Sequence, residues 1–254
     1  MLTKAEGIVI RARDYGESHK VIVLYTREFG KIAVMARGVK KTKSRLSFVT
    51  QVLTHGQYQF FAGSGMGTLS QGEVIESHHA LRQDVLNMSY AAYMAELTDK
   101  LTLEKEVNPY VFHLLSKTFS YLEEGKDADI LCRIFELKML SVAGYRPQLD
   151  QCLHCGEEDK PFYFSVAKGG ILCQDCRLPE EPVLSLSPSA ARLLRLFLHF
   201  DINRIGEIRV KQETKDLLER VMYDYTDYHT DLRLKSRDVL NQMKAFEEHN
   251  PRTI

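Results

Sequence analysis

The sequence has no apolar run approaching the 18 residues of a membrane-spanning helix, and its first six residues include charges where a secretory signal would be apolar. It also contains no GxxxxGKS/T phosphate loop, no HExxH helix, no GxSxG elbow and no EF-hand loop. Without a phosphate loop the protein is not expected to hydrolyse ATP. These absences favour a cytoplasmic protein that works by binding rather than by catalysis.

Cysteine is scarce, and four of the five cysteines form two CxxC pairs separated by seventeen residues. The four are Cys152, Cys155, Cys173 and Cys176. Each pair can turn one tight knuckle, and two knuckles offer four soft sulfurs to a tetrahedral Zn²⁺ ion. Because four thiolates leave no open position on the metal, we expect one structural zinc ion per chain rather than a catalytic one.

The residues around these pairs refine the prediction. Gly156 follows the first pair and can take the positive φ that lets a knuckle turn beneath a metal, whereas Arg177 stands at that place after the second pair. His154 could replace a cysteine as ligand but is expected to be a solvated loop histidine. The alternative of two disulfides would suit a small secreted domain. Cys132, the fifth cysteine, is expected to lie buried in a helix.

Charge is unevenly distributed although the whole chain is formally neutral. Residues 1–45 hold eleven cations and four anions, a net charge of +7, so the remainder carries −7. A basic amino-terminal unit on an acidic body indicates a polyanionic partner at one end. The densest cluster lies at 37–45, and its cations are Arg37, Lys40, Lys41, Lys43 and Arg45.

Short segments rich in β-branched residues, separated by turns, fill the first eighty residues. Strands are expected over 7–13, 19–26, 31–38, 52–61 and 68–75, with a hairpin turn through the glycine-rich stretch 62–67. Five strands in so short a segment, with no long helix between them, suit an OB-fold barrel. The basic run then falls in the loop between the third and fourth strands.

From residue 80 the apolar residues recur at helical spacing. Three helices are expected before the cysteines, the second capped at Asn108 and the third over 129–142, and three after them, from Ser187, over 213–228 and over 236–248. The predicted fold class is α+β and multidomain. Its domains are an OB-fold at 1–80, a helical domain in two parts at 81–149 and 181–254, and a four-cysteine zinc finger inserted at 150–180.

Two further predictions concern helix faces. The helix from Ser187 is expected to bury Leu193, Leu196, Phe197 and Phe200 on one side. The acidic residues Glu104, Glu106, Glu123 and Glu124 are expected to lie in solvent rather than to form a catalytic pair.

A positively charged groove beside a small barrel is how OB-folds hold single strands, with cations on phosphates and aromatic rings on bases. The aromatic candidates are Tyr15, Tyr25, Phe29, Phe48, Tyr58, Phe60 and Phe61. A solvated loop, or a patch for anionic lipid, is the alternative interpretation of the basic run. The barrel, the charge asymmetry and the zinc knuckles together favour nucleic-acid binding.

Several motifs in this order resemble the RecO family of bacterial recombination mediators, over essentially the full length of the chain. The opening residues 7–10, the segments 15–17 and 26–31, and the basic run 37–46 are similar to the start of that family. The four cysteines lie where zinc-bearing members have theirs, and 232–240 resembles the closing helix.

The resemblance implies an OB-fold, a helical domain and a zinc finger, in a mediator that is not an enzyme. It implies binding of single- and double-stranded DNA, annealing of complementary strands, and partnership with RecR and the single-strand binding protein to load RecA. It also implies a cytoplasmic, nucleoid-associated protein. By position, the DNA contacts would be Arg37, Lys40, Lys41, Lys43 and Arg45, with Lys20 and Lys31 as weaker additions. Arg192, Arg195 and Arg204 are candidates for contacting the acidic tail of the single-strand binding protein.

Two other functions stay open at this point. One is a zinc-ribbon enzyme that processes nucleic acid, which would show metal-dependent turnover of an oligonucleotide. The other is a protein–protein adaptor that uses the barrel for protein contacts, which would show no salt-dependent affinity for DNA.

Overall fold

The computed structural model describes residues 1–63 and 65–249, without the side chain of Glu248. The chain forms two compact units, Met1–Gly125 joined by the carboxyl-terminal helix from Leu234, and Lys126–Arg233. The second unit is therefore inserted into the sequence of the first. The finer division at residues 80, 149 and 180 stays a prediction. Within the expected hairpin at 62–67, Ser64 lies outside the described residues.

The first unit begins with a closed barrel of five strands, as an OB-fold requires. Its strands are β1 (Leu2–Tyr15), β2 (His19–Thr26), β3 (Gly30–Ala36), β4 (His55–Phe61) and β5 (Gly67–Glu76). They follow one another around the barrel in the order β1-β2-β3-β5-β4. Neighbouring strands are antiparallel except β3 and β5, which meet in a short parallel contact. The predicted barrel is confirmed.

The first strand is longer than predicted, since β1 covers Leu2–Tyr15 rather than 7–13. Two further boundaries differ because the backbone turns at positive φ. β3 ends at Ala36, since Gly38 has φ +67° and starts the turns of the basic loop. β4 begins at His55, since Leu53 has φ +73° although its side chain is fully buried. The backbone of Leu53 still bonds to β1, with its N–H donating to the carbonyl of Val9 at 2.8 Å.

The barrel core is built from alternate residues of each strand, which point to one face. On β2 these are Ile22 and Leu24, and on β3 Val34 and Ala36, all essentially inaccessible to solvent. The intervening residues of β2 face away from this core, yet Val21, Val23 and Tyr25 are also buried. The outer face of β2 is therefore covered as well as its inner face.

Part of that cover comes from the segment at the end of the second helix. The helices of this unit are α1 (His79–Gln83), α2 (Val85–Leu101), α3 (Pro109–Glu123) and α7 (Lys235–His249). The Tyr25 hydroxyl lies 3.4 Å from the carbonyl oxygen of Asn108. The ammonium of Lys31, opposite Tyr25 in the β2–β3 pairing, bonds to the carbonyl oxygens of Asp99 and Thr102 and lies 3.4 Å from the Asp99 carboxylate.

Helix α2 is enclosed on most sides and has α7 as a neighbour. Its buried residues include Tyr90, Tyr93, Met94 and Leu97. The contact with α7 is fixed in part by Glu96, whose carboxylate accepts a hydrogen bond of 2.8 Å from the backbone N–H of Ser236. The end of the chain thus completes the packing of an early helix.

A row of carboxylates and imidazoles joins the barrel to α3. His55 lies 2.9 Å from Glu6 and 3.7 Å from Glu76, and His78 lies 3.5 Å from Glu76 and 2.9 Å from Glu123. Glu123 is exposed at the end of α3, as predicted, but its carboxylate also has a partner in His78. Its carboxylate also accepts a hydrogen bond from the backbone N–H of Ala80, so it serves as a tertiary contact at the end of α3.

The second unit combines helices with a small sheet. Its elements are α4 (Ala128–Val142), β6 (Phe162–Ser165), β7 (Gly170–Cys173), β8 (Leu184–Ser185), α5 (Pro188–His199) and α6 (Gln212–Thr230). Helix α5 buries Ala190, Leu194, Phe197 and Leu198. The predicted face is wrong by part of a turn, and Leu196 is 48% exposed, because the neighbouring elements select a different apolar stripe.

Substituting Lys31 by Ala is expected to lower the free energy of unfolding by about 2–4 kcal/mol, because Asp99 and the end of α2 lose a buried cation. Urea denaturation would measure the change. The matched control is Lys4→Ala at an exposed position of β1, which is expected to stay within about 0.5 kcal/mol of the parent protein. Equal losses in the two variants would contradict the assigned role of Lys31.

Candidate metal centre and nucleic-acid interface

The four predicted cysteines come together in one cluster. Their sulfur atoms all lie within 4.8 Å of one another, and Cys155 and Cys173 are 3.7 Å apart between sulfurs. Zn–S bonds of about 2.3 Å in a tetrahedron place neighbouring sulfurs about 3.8 Å apart. The cluster could therefore hold a metal ion, and its dimensions and soft donor set fit zinc.

Backbone turns and one strand end hold the cluster together. Gly156 has φ +75°, and its N–H donates to the carbonyl of Cys152 at 3.0 Å, which closes the first knuckle as predicted. The second knuckle begins at Cys173, the last residue of β7, where Cys176 N–H donates back to Cys173. It turns without a residue of positive φ. Arg177 instead places its guanidinium over the Tyr163 ring, 4.4 Å from the centroid.

The thiols of the cluster influence one another's ionisation. Burial opposes the thiolate of Cys152, but backbone N–H groups of Cys155, Cys173 and His154 outweigh it and lower its pKa to about 6. The pKa of Cys176 is raised to about 12, first because its thiol hydrogen-bonds Cys155 and then because of Cys173. One thiolate forms readily and suppresses the next, so four can coexist only with a compensating positive charge.

The two residues left out of the predicted ligand set have distinct surroundings. His154 is exposed, as expected, but its Nδ1 lies 3.6 Å from the sulfur of Cys176, so it contacts the cluster. Cys132 is fully buried in α4, with a guanidinium nitrogen of Arg133 3.2 Å from its sulfur. Burial raises the pKa of the Cys132 thiol well above its usual range, as befits a structural residue.

The basic loop is anchored to the barrel at both ends. Val39 and Val49 are buried in the barrel core. The Tyr58 hydroxyl donates to the carbonyl oxygen of Val49 at 2.9 Å, and the N–H of Lys40 donates to the carbonyl of Ser18 at 3.1 Å. Val49 also packs closely on Gly72 of β5, where an added Cβ would lie 2.7 Å from a Val49 methyl group. The apolar anchors leave the charged side chains pointing outward.

All five loop cations are exposed, namely Arg37, Lys40, Lys41, Lys43 and Arg45. Lys40 forms an exposed ion pair of 2.7 Å with Asp14, and the pKa of Asp14 is lowered chiefly by this hydrogen bond. Asp14 and Lys40 are 26 positions apart, and no local sequence pattern links them, so their pairing is visible only in the folded structure. An exposed pair of this kind is weak and can yield Lys40 to another anion.

The two weaker candidates differ from each other. Lys20 is half-buried on β2, beside the loop. The prediction for Lys31 is wrong, because its side chain is only 11% exposed and its ammonium is engaged by Asp99 and Thr102. Three of the seven aromatic candidates, Tyr25, Tyr58 and Phe60, are likewise buried.

The arginines considered for an acidic peptide lie in the second unit in three different settings. The guanidinium of Arg195 donates to the carbonyl oxygens of Leu149 and Glu158. Arg204 lies 3.6 Å from the Asp201 carboxylate, and Arg192 is exposed on α5. Contact with an acidic tail stays a prediction for these residues.

Comparison with known proteins decides the family. The family model described as "Recombination protein O N terminal" matches residues 1–78, and that described as "Recombination protein O C terminal" matches residues 82–238. The chain belongs to the RecO family. The predicted resemblance is therefore confirmed, and RecO membership supports a role in DNA repair and recombination. Among the helices of the described residues, none is long and apolar enough to span a membrane.

Relatives named "DNA repair protein RecO" match along almost the whole chain. The protein of Bacillus pumilus is 50% identical over 248 residues, 98% of this chain and 97% of the relative. The protein of Halalkalibacterium halodurans is 47% identical over 253 residues, 100% of both chains. That of Bacillus subtilis is 45% identical over 247 residues, 97% of each.

If the cluster holds a metal ion, a Cys173→Ser variant is expected to bind none, because a hydroxyl is a poor substitute for one of four thiolates. The free energy of unfolding should fall by about 3 kcal/mol or more, as is typical when a structural metal is lost. Elemental analysis would measure the metal content. Cys132→Ala, outside the cluster, is the control and should retain one metal ion per chain. An unchanged metal content in Cys173→Ser would contradict the assigned centre.

Proposed function

We propose that this RecO protein binds DNA through the basic loop 37–45 and acts as a recombination mediator. The observation that carries the proposal is the exposure of all five loop cations on a scaffold anchored in the barrel core. Cations held in this way can neutralise several successive phosphates, which supplies most of the affinity for a nucleic-acid backbone. Both single- and double-stranded DNA present such phosphates.

Because the outer face of β2 is covered, we propose that the DNA runs along the basic loop rather than across that face. OB-folds commonly bind oligonucleotides on the face of their second and third strands and on adjoining loops. Here Val21, Val23 and Tyr25 are already buried on the outer side of β2, and residues 99–108 contact Tyr25 and Lys31. The loop offers five exposed cations, whereas Lys31 on β3 is enclosed by Asp99 and Thr102.

The mediator activity needs no catalytic group. Annealing requires that complementary strands be held, partly neutralised and left able to pair, and an exposed cationic surface does this. We infer that the protein anneals strands coated with the single-strand binding protein and, together with RecR, helps to load RecA. Its partners in this function are DNA, RecR and the single-strand binding protein.

We further propose that zinc is the metal of the cysteine cluster and that its role is structural. Four thiolates fill a tetrahedral shell and leave no position for a substrate or an activated water. The ion would hold together the segment from Cys152 to Cys176, whose regular structure is otherwise limited to the short strands β6 and β7.

Reversing the charge of Lys40, Lys41 and Lys43 by substitution with Glu is expected to weaken single-stranded DNA binding more than tenfold at low salt. The slope of log affinity against log salt concentration should become shallower by about 2, because three phosphate contacts are lost. Fluorescence anisotropy over a series of salt concentrations would measure both quantities.

The matched control reverses three exposed lysines elsewhere in the first unit, Lys4, Lys100 and Lys117. It changes the net charge by the same amount, so it separates a local contact from the overall field of the protein. Equal affinity loss and an equal change of slope in the two variants would contradict the assignment of the loop.

The protein is expected to accelerate annealing of two complementary oligonucleotides precoated with the single-strand binding protein, without ATP. The acceleration should fade as salt rises, since it depends on phosphate contacts. A gel or fluorescence-quenching time course would measure it. Acceleration that persists in high salt, or none at all, would contradict the mediator function; degradation of the oligonucleotides on adding metal would favour an enzyme.

A further inference from the structure

Phe48, beside the basic loop, is 73% exposed to solvent. It follows Arg45 by three residues and precedes the buried anchor Val49. Its backbone is well held: its carbonyl oxygen accepts a hydrogen bond from Gln51 N–H at 3.2 Å and lies 3.5 Å from the Thr54 hydroxyl. An aromatic ring thus projects into water from a fixed point of the backbone.

The other exposed aromatic candidates have different surroundings. Phe29 packs edge-on against Phe60, with ring centroids 6.2 Å apart. Phe61 ends β4, where it pairs with Leu2 and Thr68 rather than with the loop. Tyr15 ends β1, one residue after Asp14. Phe48 is the most exposed of the seven, and the nearest in sequence to the loop cations.

The neighbours of Phe48 indicate what could cover it. Five exposed cations precede it within eleven residues, so a purely apolar partner would have to desolvate those charges. Single-stranded nucleic acid matches both features, because it presents phosphates to the cations and an unpaired aromatic face to the ring. In a duplex the faces of the bases are occupied by their neighbours in the stack.

We propose that Phe48 is a stacking platform for one unpaired base of single-stranded nucleic acid, and that it confers a preference for single strands over duplex. The proposal rests on the proposed function of the loop. The cations supply affinity shared by both kinds of DNA, whereas the ring supplies affinity that only an unpaired base can use.

The test compares Phe48→Ala with Phe48→Tyr. Affinities for a single strand and for a duplex of equal length are measured over a series of salt concentrations. Phe48→Ala is expected to weaken single-strand binding by about 5- to 100-fold, as is usual for a lost base–aromatic stack. Duplex affinity should change by less than about 2-fold, and the salt slope should stay the same because no phosphate contact is lost. Phe48→Tyr should retain single-strand affinity to within about 3-fold.

A second readout reports stacking directly. A single strand carrying the fluorescent base 2-aminopurine at successive positions should be quenched at one or more of them by the parent protein and by Phe48→Tyr, but less by Phe48→Ala. Thermal unfolding of the variants serves as the folding control. Because the ring is largely exposed, Phe48→Ala should melt close to the parent protein.

The outcomes separate this proposal from the function on which it rests. Unchanged single-strand affinity and quenching in Phe48→Ala would overturn the stacking role while leaving DNA binding by the loop intact. Equal losses on single strand and duplex would also overturn it, since they indicate a general disturbance of the loop. If the parent protein itself shows no salt-dependent binding of DNA, the proposed function of the loop is wrong, and the stacking role of Phe48 that rests on it is wrong as well.

Discussion

In the first unit, the packing of the barrel against its helices depends on one lysine. This lysine lies on a barrel strand and binds the carboxyl end of a helix. The last carbonyl groups of a helix lack partners within it and carry partial negative charge. Lys31 of β3 meets this need at the end of α2, where it bonds to Asp99 and Thr102. The same region contacts Tyr25, directly across from Lys31 on β2. The barrel is thereby fixed to its helices, and one end of its outer sheet face is covered.

The features that sequence analysis predicts well are those encoded over short distances. The two CxxC pairs define the metal cluster because each knuckle is local, and alternating β-branched residues define the barrel strands. The contacts of Lys31 with Asp99 and of Glu123 with His78 are between residues far apart in the chain. No spacing rule predicts such contacts. The face of α5 fails for a related reason, since several apolar stripes were available and packing selected one.

The two candidate sites are held in place by different forces. The cysteine cluster relies on hydrogen-bonded turns and, with metal bound, on coordination bonds that close around one point. The basic loop relies on apolar anchoring, with Val39 and Val49 packed in the barrel and Tyr58 bonded to the backbone of Val49. Uncharged residues therefore fix where the loop cations lie. The close contact of Val49 with Gly72 also ties the loop to β5.

The packing of α7 beside α2 has a consequence for the order in which the protein is made. About 130 residues separate the end of α2 from the start of α7, and the second unit lies between them. At a synthesis rate of ~5–20 residues per second, α2 waits on the order of 10 s for its partner. The whole second unit is synthesised during that interval. The amino-terminal unit, although first to emerge, is the last to acquire all of its native contacts.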